Sequence, residues 1–275
     1  MTYRRILARL QLAQTNAHLL GVVADLATRF ESEVSGLVIS RNLADIYSSD
    51  YATDEVIELV RARTLKAFDD AHAEFRGTLA PRVEQIFWHA AETGGQLSDC
   101  FARAASSADL IVAAPDSAAV FHSSYHFNIG DLLMRAGRPV LVVPPGTDRL
   151  KLDRVLVGWK ETPEARRAIV DALPLLKEAG RVVLAEITMH DHVAETRDRL
   201  STIAGWLALH NIQAEPMVLP RTGPDSTGLA ELAKKQGADL IVAGAYGHSR
   251  VREWVLGGVT CDLLLNPPCV TLLSH

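Results

Sequence analysis

Four glycines near the end of the sequence carry its clearest chemical signal. Gly244-Ala-Tyr-Gly247 is followed by nine residues, His248 to Leu256, and then by Gly257-Gly258-Val259-Thr260, giving the spacing G-x2-G-x9-G-G. Gly244 lets a ligand approach the backbone without a Cβ in the way, and Gly247 permits positive φ in the loop. Gly257 and Gly258 are expected to open a helix whose free N–H groups donate to a phosphate, with Val259 continuing it and the Thr260 hydroxyl as a further donor. Two glycine pairs at this separation form two walls of one anion cradle. A plainer reading stands beside this one: Gly244 and Gly247 shape a turn and Gly257 ends a helix.

The neighbouring side chains divide in the same way. His248 adjoins the loop and can donate to an oxyanion. Arg250 either reaches a phosphate or covers the wet face of a helix, and Arg252 suits the wet face. Lys160 follows an apolar run, Arg154 to Val157, and is either a point charge against a phosphate or a solvated lysine. Trp159 either flanks a base or packs into the core, where Trp254, Val251 and Val255 are expected. His122-x3-His126 has the spacing of a metal pair on a helix, but no third ligand is evident. His190-Asp-His192 reads more simply as a polar loop in which Asp191 caps a helix. No metal site is assigned.

Motifs for dedicated catalysis are absent from the sequence: it has no G-x4-G-K-[ST], G-x-G-x-x-G, H-E-x-x-H or G-x-S-x-G. Phosphoryl transfer needs a metal-held phosphate and a positioned base or water. Glu161 and Glu186 are only weak candidates for magnesium. No catalytic residue is assigned, and binding is favoured over turnover.

These residues must be held by a framework, and the sequence announces it by repeating itself. Ala108-Asp-Leu-Ile-Val-Ala113 recurs unchanged at Ala238-Asp-Leu-Ile-Val-Ala243, and Pro139–Pro144 parallels Cys269–Ser274 at the same offset of 130 positions. Arg5–Leu10 parallels Arg154–Trp159 at an offset of 149. The first half therefore carries about 19 extra residues, a difference of offsets that falls within one helix expected near Asp54 to Leu79. A period this long means duplicated domains rather than a solenoid.

Each half alternates strand-like and helix-like segments. Strands are expected at Ile6–Ala8, Val34–Ile39, Val83–Trp88, Leu110–Ala113 and Val140–Val143. In the second half they fall at Arg154–Val157, Arg181–Thr188, Met217–Leu219, Leu240–Ala243 and Val270–Leu273. They are continuous apolar runs, as in a parallel sheet covered on both faces. Thr162-Pro163-Glu164 reads as an N-cap, a first-turn proline and an acid at the positive helix end. Pro174 is expected to kink that helix late. Pro144-Pro-Gly-Thr-Asp148 marks the linker, which separates domains at 1–145 and 151–275.

Composition sets the outer bounds. The chain has 275 residues, 48% of them hydrophobic, and a formal net charge of −5, enough for two full cores and unsuited to broad nucleic-acid binding. Its three cysteines include no C-x-x-C pair, as for free thiols in a reducing, cytoplasmic setting. No uninterrupted apolar stretch is long enough for a membrane span.

The second half, Arg154 to His275, resembles the universal stress protein family. The G-x2-G-x9-G spacing between the fourth strand and the last helix is the motif of that family's ATP-binding members, and the tandem halves resemble its two-domain members. The resemblance implies two adenine-nucleotide-hydrolase-like, doubly wound α/β domains, each a five-stranded parallel sheet in order 3-2-1-4-5 with helices on both faces. It also implies an intramolecular pseudo-dimer through the fifth strands, with a homodimer or another protein as further partner. The expected ligand is one adenine nucleotide, ATP with or without magnesium, held by the glycine loop. A backbone group at Ile187 would read the adenine edge.

The sequence departs from that pattern at Lys160, where the family places a carboxylate, at Glu161, where glycine is usual, and at Gly258, where a hydroxyl residue is usual. In the first half, Ala114 and Ser117 correspond to Gly244 and Gly247, and Phe127 and Asn128 to Gly257 and Gly258. A nucleotide site is thus expected in the second half alone. Two other readings remain open: a structural or interaction protein of the same fold without nucleotide, and a weak hydrolase or pocket for another small ligand that relies on Lys160 and His248.

Overall fold

The structure is a computed structural model and describes residues 2–41, 53–115, 127–221, 223, 225–246 and 259–275. In the first half, strands β1 (Arg5–Arg9), β2 (Glu33–Arg41), β3 (Ile86–Thr93), β4 (Leu110–Ala113) and β5 (Val140–Val142) alternate with helices α1 (Ala17–Phe30), α2 (Asp54–Leu79), α3 (Leu97–Ala104) and α4 (Ile129–Ala136). The second half repeats the series. Its strands are β6 (Arg154–Gly158), β7 (Arg181–Thr188), β8 (Ala214–Pro220), β9 (Leu240–Gly244) and β10 (Val270–Ser274). Its helices are α5 (Pro163–Lys177), α6 (Val193–Leu209), α7 (Asp225–Gln236) and α8 (Val259–Leu265).

All ten strands join one sheet in the order β3-β2-β1-β4-β5-β10-β9-β6-β7-β8. Each half thus follows the order 3-2-1-4-5 with parallel neighbours. Where the halves meet, β5 and β10 run antiparallel, with Leu141 opposite Leu272. Buried side chains form two layers. One lies under α1, α2, α5 and α6 and contains Leu20, Phe75, Ile169 and Leu200. The other lies under α3, α4, α7 and α8 and contains Phe101, Leu133, Leu232 and Leu264. Because both faces are covered, β4 and β9 need side chains that are apolar on both sides, which is why Leu-Ile-Val-Ala recurs.

The aspartate of that repeat also has a physical reason. Asp109 Oδ2 accepts the N–H groups of Arg4 and Arg5 at 2.8 and 3.0 Å, and Asp239 Oδ2 accepts that of Arg154 at 3.0 Å. In each half the acid at the foot of the fourth strand satisfies amides at the foot of the first, where the ladder has not begun.

Some local expectations shift. The third strand of the first half begins at Ile86 rather than Val83, because the Val83 amide instead closes the end of α2 on Leu79 O at 2.8 Å. Asp191 caps nothing: residues 190–192 form a 3-10 turn, and His192 stands at the N-cap of α6 without a side-chain cap bond. Pro174 lies inside α5, which continues to Lys177. The carbonyl deprived of a partner belongs to Val170 on the exposed side of the helix, within reach of water. Thr162 does cap α5, its hydroxyl oxygen accepting from the Ala165 amide at 3.3 Å. The long helix of the first half spans Asp54–Leu79, 26 residues against 17 in its counterpart α6, so only part of the excess of about 19 residues falls within it and the rest lies in the connections around it.

Candidate functional site

The carboxyl end of the second-half sheet is shaped by β6 stopping early. Its last paired residue, Gly158, lies opposite Ala185 of β7, whereas β7 runs on to Thr188 beside β8. Trp159 N–H still donates to Ala185 O at 2.7 Å, and Arg221 N–H donates to Thr188 O at 2.8 Å on the other side. Backbone groups alternate sides along a strand. Those of Ile187 therefore turn toward the β6 side, past its last paired residue, and face a gap.

Two helices border this gap. α7 lies close over β6 and β7: a Cβ on Gly158 would touch Leu229, and one on Gly228 would crowd the Ile187 side chain. This seats Asp225, the first residue of α7, beside Lys160. Lys160 Nζ is 3.7 Å from Asp225 Oδ2, which also takes Arg221 at 2.6 Å. The second border is the first turn of α5, which lies against Gly244. A Cβ on Gly244 would strike the backbone of Glu164 and Ala165. Gly244 is thus required for a close approach of helix to strand, and the space in front of it belongs to α5 rather than to a ligand.

Polar atoms without partners gather around this edge. Trp159 Nε1, Glu164 Oε2 and Asp225 Oδ1 are buried and have no hydrogen bond among the described residues. Trp159 itself lies in the core layer beneath α5 and α6, so of its two expected roles the structure shows packing. Glu161 pairs with Arg166 and lies 3.9 Å from Arg199. Glu186 is buried and held by Arg199 at 2.7 Å. Arg199 is in turn raised in pKa, first by the Glu186 hydrogen bond, against a smaller desolvation effect. Both acids therefore serve an ion-pair network on the α6 side rather than standing free for a metal.

Beyond Gly244 the chain turns sharply. Tyr246 adopts φ +60°, the left-handed region that a tyrosine seldom enters. Its N–H donates to Thr260 Oγ1 at 3.1 Å. Thr260 is buried, so its hydroxyl fastens the loop to α8. Val259 is half-buried at the start of α8. Gly247, His248, Arg250, Gly257 and Gly258 lie outside the described residues, as do Arg252, Val251, Trp254, Val255 and the pair His122 and His126.

The matching edge of the first half is filled. Phe127, the counterpart of Gly257, is buried edge-on against Phe101 at 4.9 Å between centroids. The Arg9 guanidinium lies over its ring at 3.9 Å. Asn128 caps α4 by accepting from the Asp131 amide at 3.0 Å. An aromatic ring and a cation–π contact thus stand at the position that carries glycine in the second-half sequence.

Sequence reasoning missed Asp225 and Tyr246. Asp225 had a signal, an acid after Gly223-Pro224 at the start of a helix. Tyr246 had none, since nothing in its type announces a left-handed backbone.

Comparison with known proteins fits this architecture. Residues 151–275 match the model of the universal stress protein family. The second half is a universal stress protein domain, and the first half repeats its strand order, so the chain is a tandem of that fold. A universal stress protein from Archaeoglobus fulgidus DSM 4304 aligns over 99% of this chain and 98% of its own, at 15% identity and TM-score 0.74. A protein described as functionally unknown, from Pseudomonas aeruginosa PAO1, aligns over 99% of this chain and 92% of its own, at 15% identity and TM-score 0.61. At such identities the likeness is one of fold. No curated protein matches the chain. Among the described residues no helix is long and apolar enough to cross a membrane.

Proposed function

We propose that the second half binds one adenine nucleotide, ATP, and that occupancy rather than turnover is the signal passed to a partner protein in a stress response. The observation that carries this is the gap beside Ile187: its backbone donor and acceptor face the space beyond the end of β6. A donor and an acceptor side by side match the amine and ring nitrogen on one edge of adenine. The triphosphate would extend toward the loop carrying Gly247, His248, Arg250, Gly257 and Gly258. Magnesium would arrive on the phosphates, since among the described residues no group of three His, Cys, Asp or Glu could hold it. The division at 1–145 and 151–275 makes the first half a partner that completes the sheet without a nucleotide of its own. The three free thiols suit a reducing, cytoplasmic setting.

A second reading, a structural protein of the same fold without ligand, is favoured by Gly244, whose lack of a side chain is already explained by α5. Calorimetry with ATP decides between them. Binding heat from the whole chain that disappears in Gly247→Val and Gly257→Val supports the nucleotide reading. No heat from the unaltered chain, with no adenylate in the denatured, freshly purified protein by mass spectrometry, overturns it.

A further inference from the structure

The two edges of the ten-stranded sheet differ. β3 forms one edge and β8 the other. Val34 N–H donates to Gln85 O at 3.0 Å, so Gln85 and every second residue after it turn their backbone groups toward β2. Those of Ile86, Trp88, Ala90 and Glu92 point away from the sheet. The same alternation on β8, fixed by the Arg221 bond to Thr188, turns Ala214, Pro216, Val218 and Pro220 outward. Two of those four outward positions on β8 are proline, which has no N–H to offer and so hinders pairing with another chain. β3 has no such protection. It contains no proline and no lysine, and its register with β2 runs unbroken from Ile86 to Thr93. Its outward backbone groups have no partner among the described residues.

The side chains of β3 suit a partner identical to itself. Trp88 faces α2, where it packs against His72 and Phe75. On the opposite face Phe87, His89 and Ala91 are exposed, Phe87 to 44%. Antiparallel pairing of β3 with a second β3 about a two-fold axis at Ala90 sets Trp88 opposite Glu92, His89 opposite Ala91 and Phe87 opposite Thr93, with Ala90 facing its own copy. No like charges then oppose each other, and the residue on the axis is small. Ala90 with Ala90, and Trp88 with Glu92, are pairs whose backbone groups point outward, so each pair exchanges two hydrogen bonds. The molecule already contains a joint of this kind, since β5 and β10 join the two halves edge to edge and antiparallel. We propose that the β3 edge docks a second copy of this chain, the two β3 strands pairing antiparallel about Ala90 so that the sheet continues from one copy into the next. A single strand pair is smaller than the interface of an obligate dimer, so this dimer forms reversibly.

Sedimentation of the whole chain over a range of concentrations tests this, and the mass should rise from one chain toward two. Ala90→Pro gives β3 the device that β8 already has. It removes the hydrogen bonds at the axis and none within the chain, and should weaken dimerisation about tenfold or more. Ala90→Lys and Ala90→Glu each set like charges opposite one another at an exposed position, and each alone should shift the equilibrium toward single chains. Mixed in equal amounts, the lysine and glutamate variants should dimerise again, because residue 90 then meets an opposite charge in the other copy. These two variants leave the backbone of β3 intact and decide the matter if the proline protein fails to fold. An unaltered chain that stays single at every concentration overturns the proposal. So does a dimer that survives the charged variants, or one that their mixture fails to restore. A single chain whose β3 edge instead takes a strand of another protein overturns the choice of partner.

Discussion

The Tyr246 hydroxyl, in the second half, occupies the space that a side chain on Gly130, in the first half, would need. Gly130 sits in the first turn of α4, and Tyr246 is the left-handed residue that turns the chain out of β9. The loop leading to the candidate site is thus seated against the partner half.

Gly130→Ala should therefore reach the site from a distance. The new methyl displaces the Tyr246 ring, and overpacking of this kind costs about 1–3 kcal/mol. Denaturant unfolding should show that loss, and nucleotide affinity should fall with it. Adding Tyr246→Phe removes the atom closest to the methyl, so the double variant should be less destabilised than the sum of the single changes. Strict additivity would mean that the two residues do not couple.

At Gly244 the obstacle is backbone, which cannot rotate aside. Gly244→Ala should destabilise by about 2 kcal/mol or more, because α5 must back away from β9. Gly205→Ala is the contrasting change. Gly205 lies inside α6 with nothing near its missing Cβ, and replacement there should stabilise by about 0.5–1 kcal/mol. Urea midpoints of the two variants should move in opposite directions.

In the first half, Phe127 is a core residue where its counterpart is glycine. Phe127→Ala should cost about 3–5 kcal/mol by leaving a cavity between Phe101 and Arg9. It should not create a second nucleotide site, because the first half has Ala114 and Ser117 where the second half carries Gly244 and Gly247. Calorimetry should give one nucleotide per chain both before and after the change; two would contradict the division of roles between the halves.

Asp171 gives the fold a pH dependence. Burial raises its carboxyl above the ordinary value of 3.8, opposed by the neighbouring Ser274 hydroxyl and by the charges of Arg167 and Arg138. A raised pKa means that the folded chain holds the proton more tightly than the unfolded chain does. Its contribution is complete below the unfolded value and is lost as pH rises through the folded one. Asp171→Asn stays uncharged throughout. Its stability relative to the unaltered chain should improve from about pH 3 to about pH 7, read from unfolding midpoints at each pH. A difference that stays constant across that range would refute the direction.

Local pattern revealed most of the framework. Continuous apolar runs located the strands and helical spacing the helices, and the Ala-Asp-Leu-Ile-Val-Ala repeat exposed the duplication. It could do so because residues that fill the same place in the same fold meet the same demands: apolar on both faces, and acidic where strand-foot amides need an acceptor. The N-cap at Thr162 was equally legible, since a cap acts within three residues. Errors came where a competing local bond won, as when the end of α2 claimed the Val83 amide.

The site was less legible, because its parts are distant in sequence. The glycine spacing proposed a cradle, but only packing showed that α5 fills the space before Gly244, that Tyr246 takes a left-handed turn, and that Thr260 ties the loop to α8. Lys160 looked like either a phosphate ligand or a solvated lysine, and its partner, Asp225, lies 65 positions away. Short-range forces between neighbours wrote the strands and helices into the sequence itself. Which charges meet above them, and which oxygen is left without a donor, was decided only when β6 stopped short and α7 folded across its end.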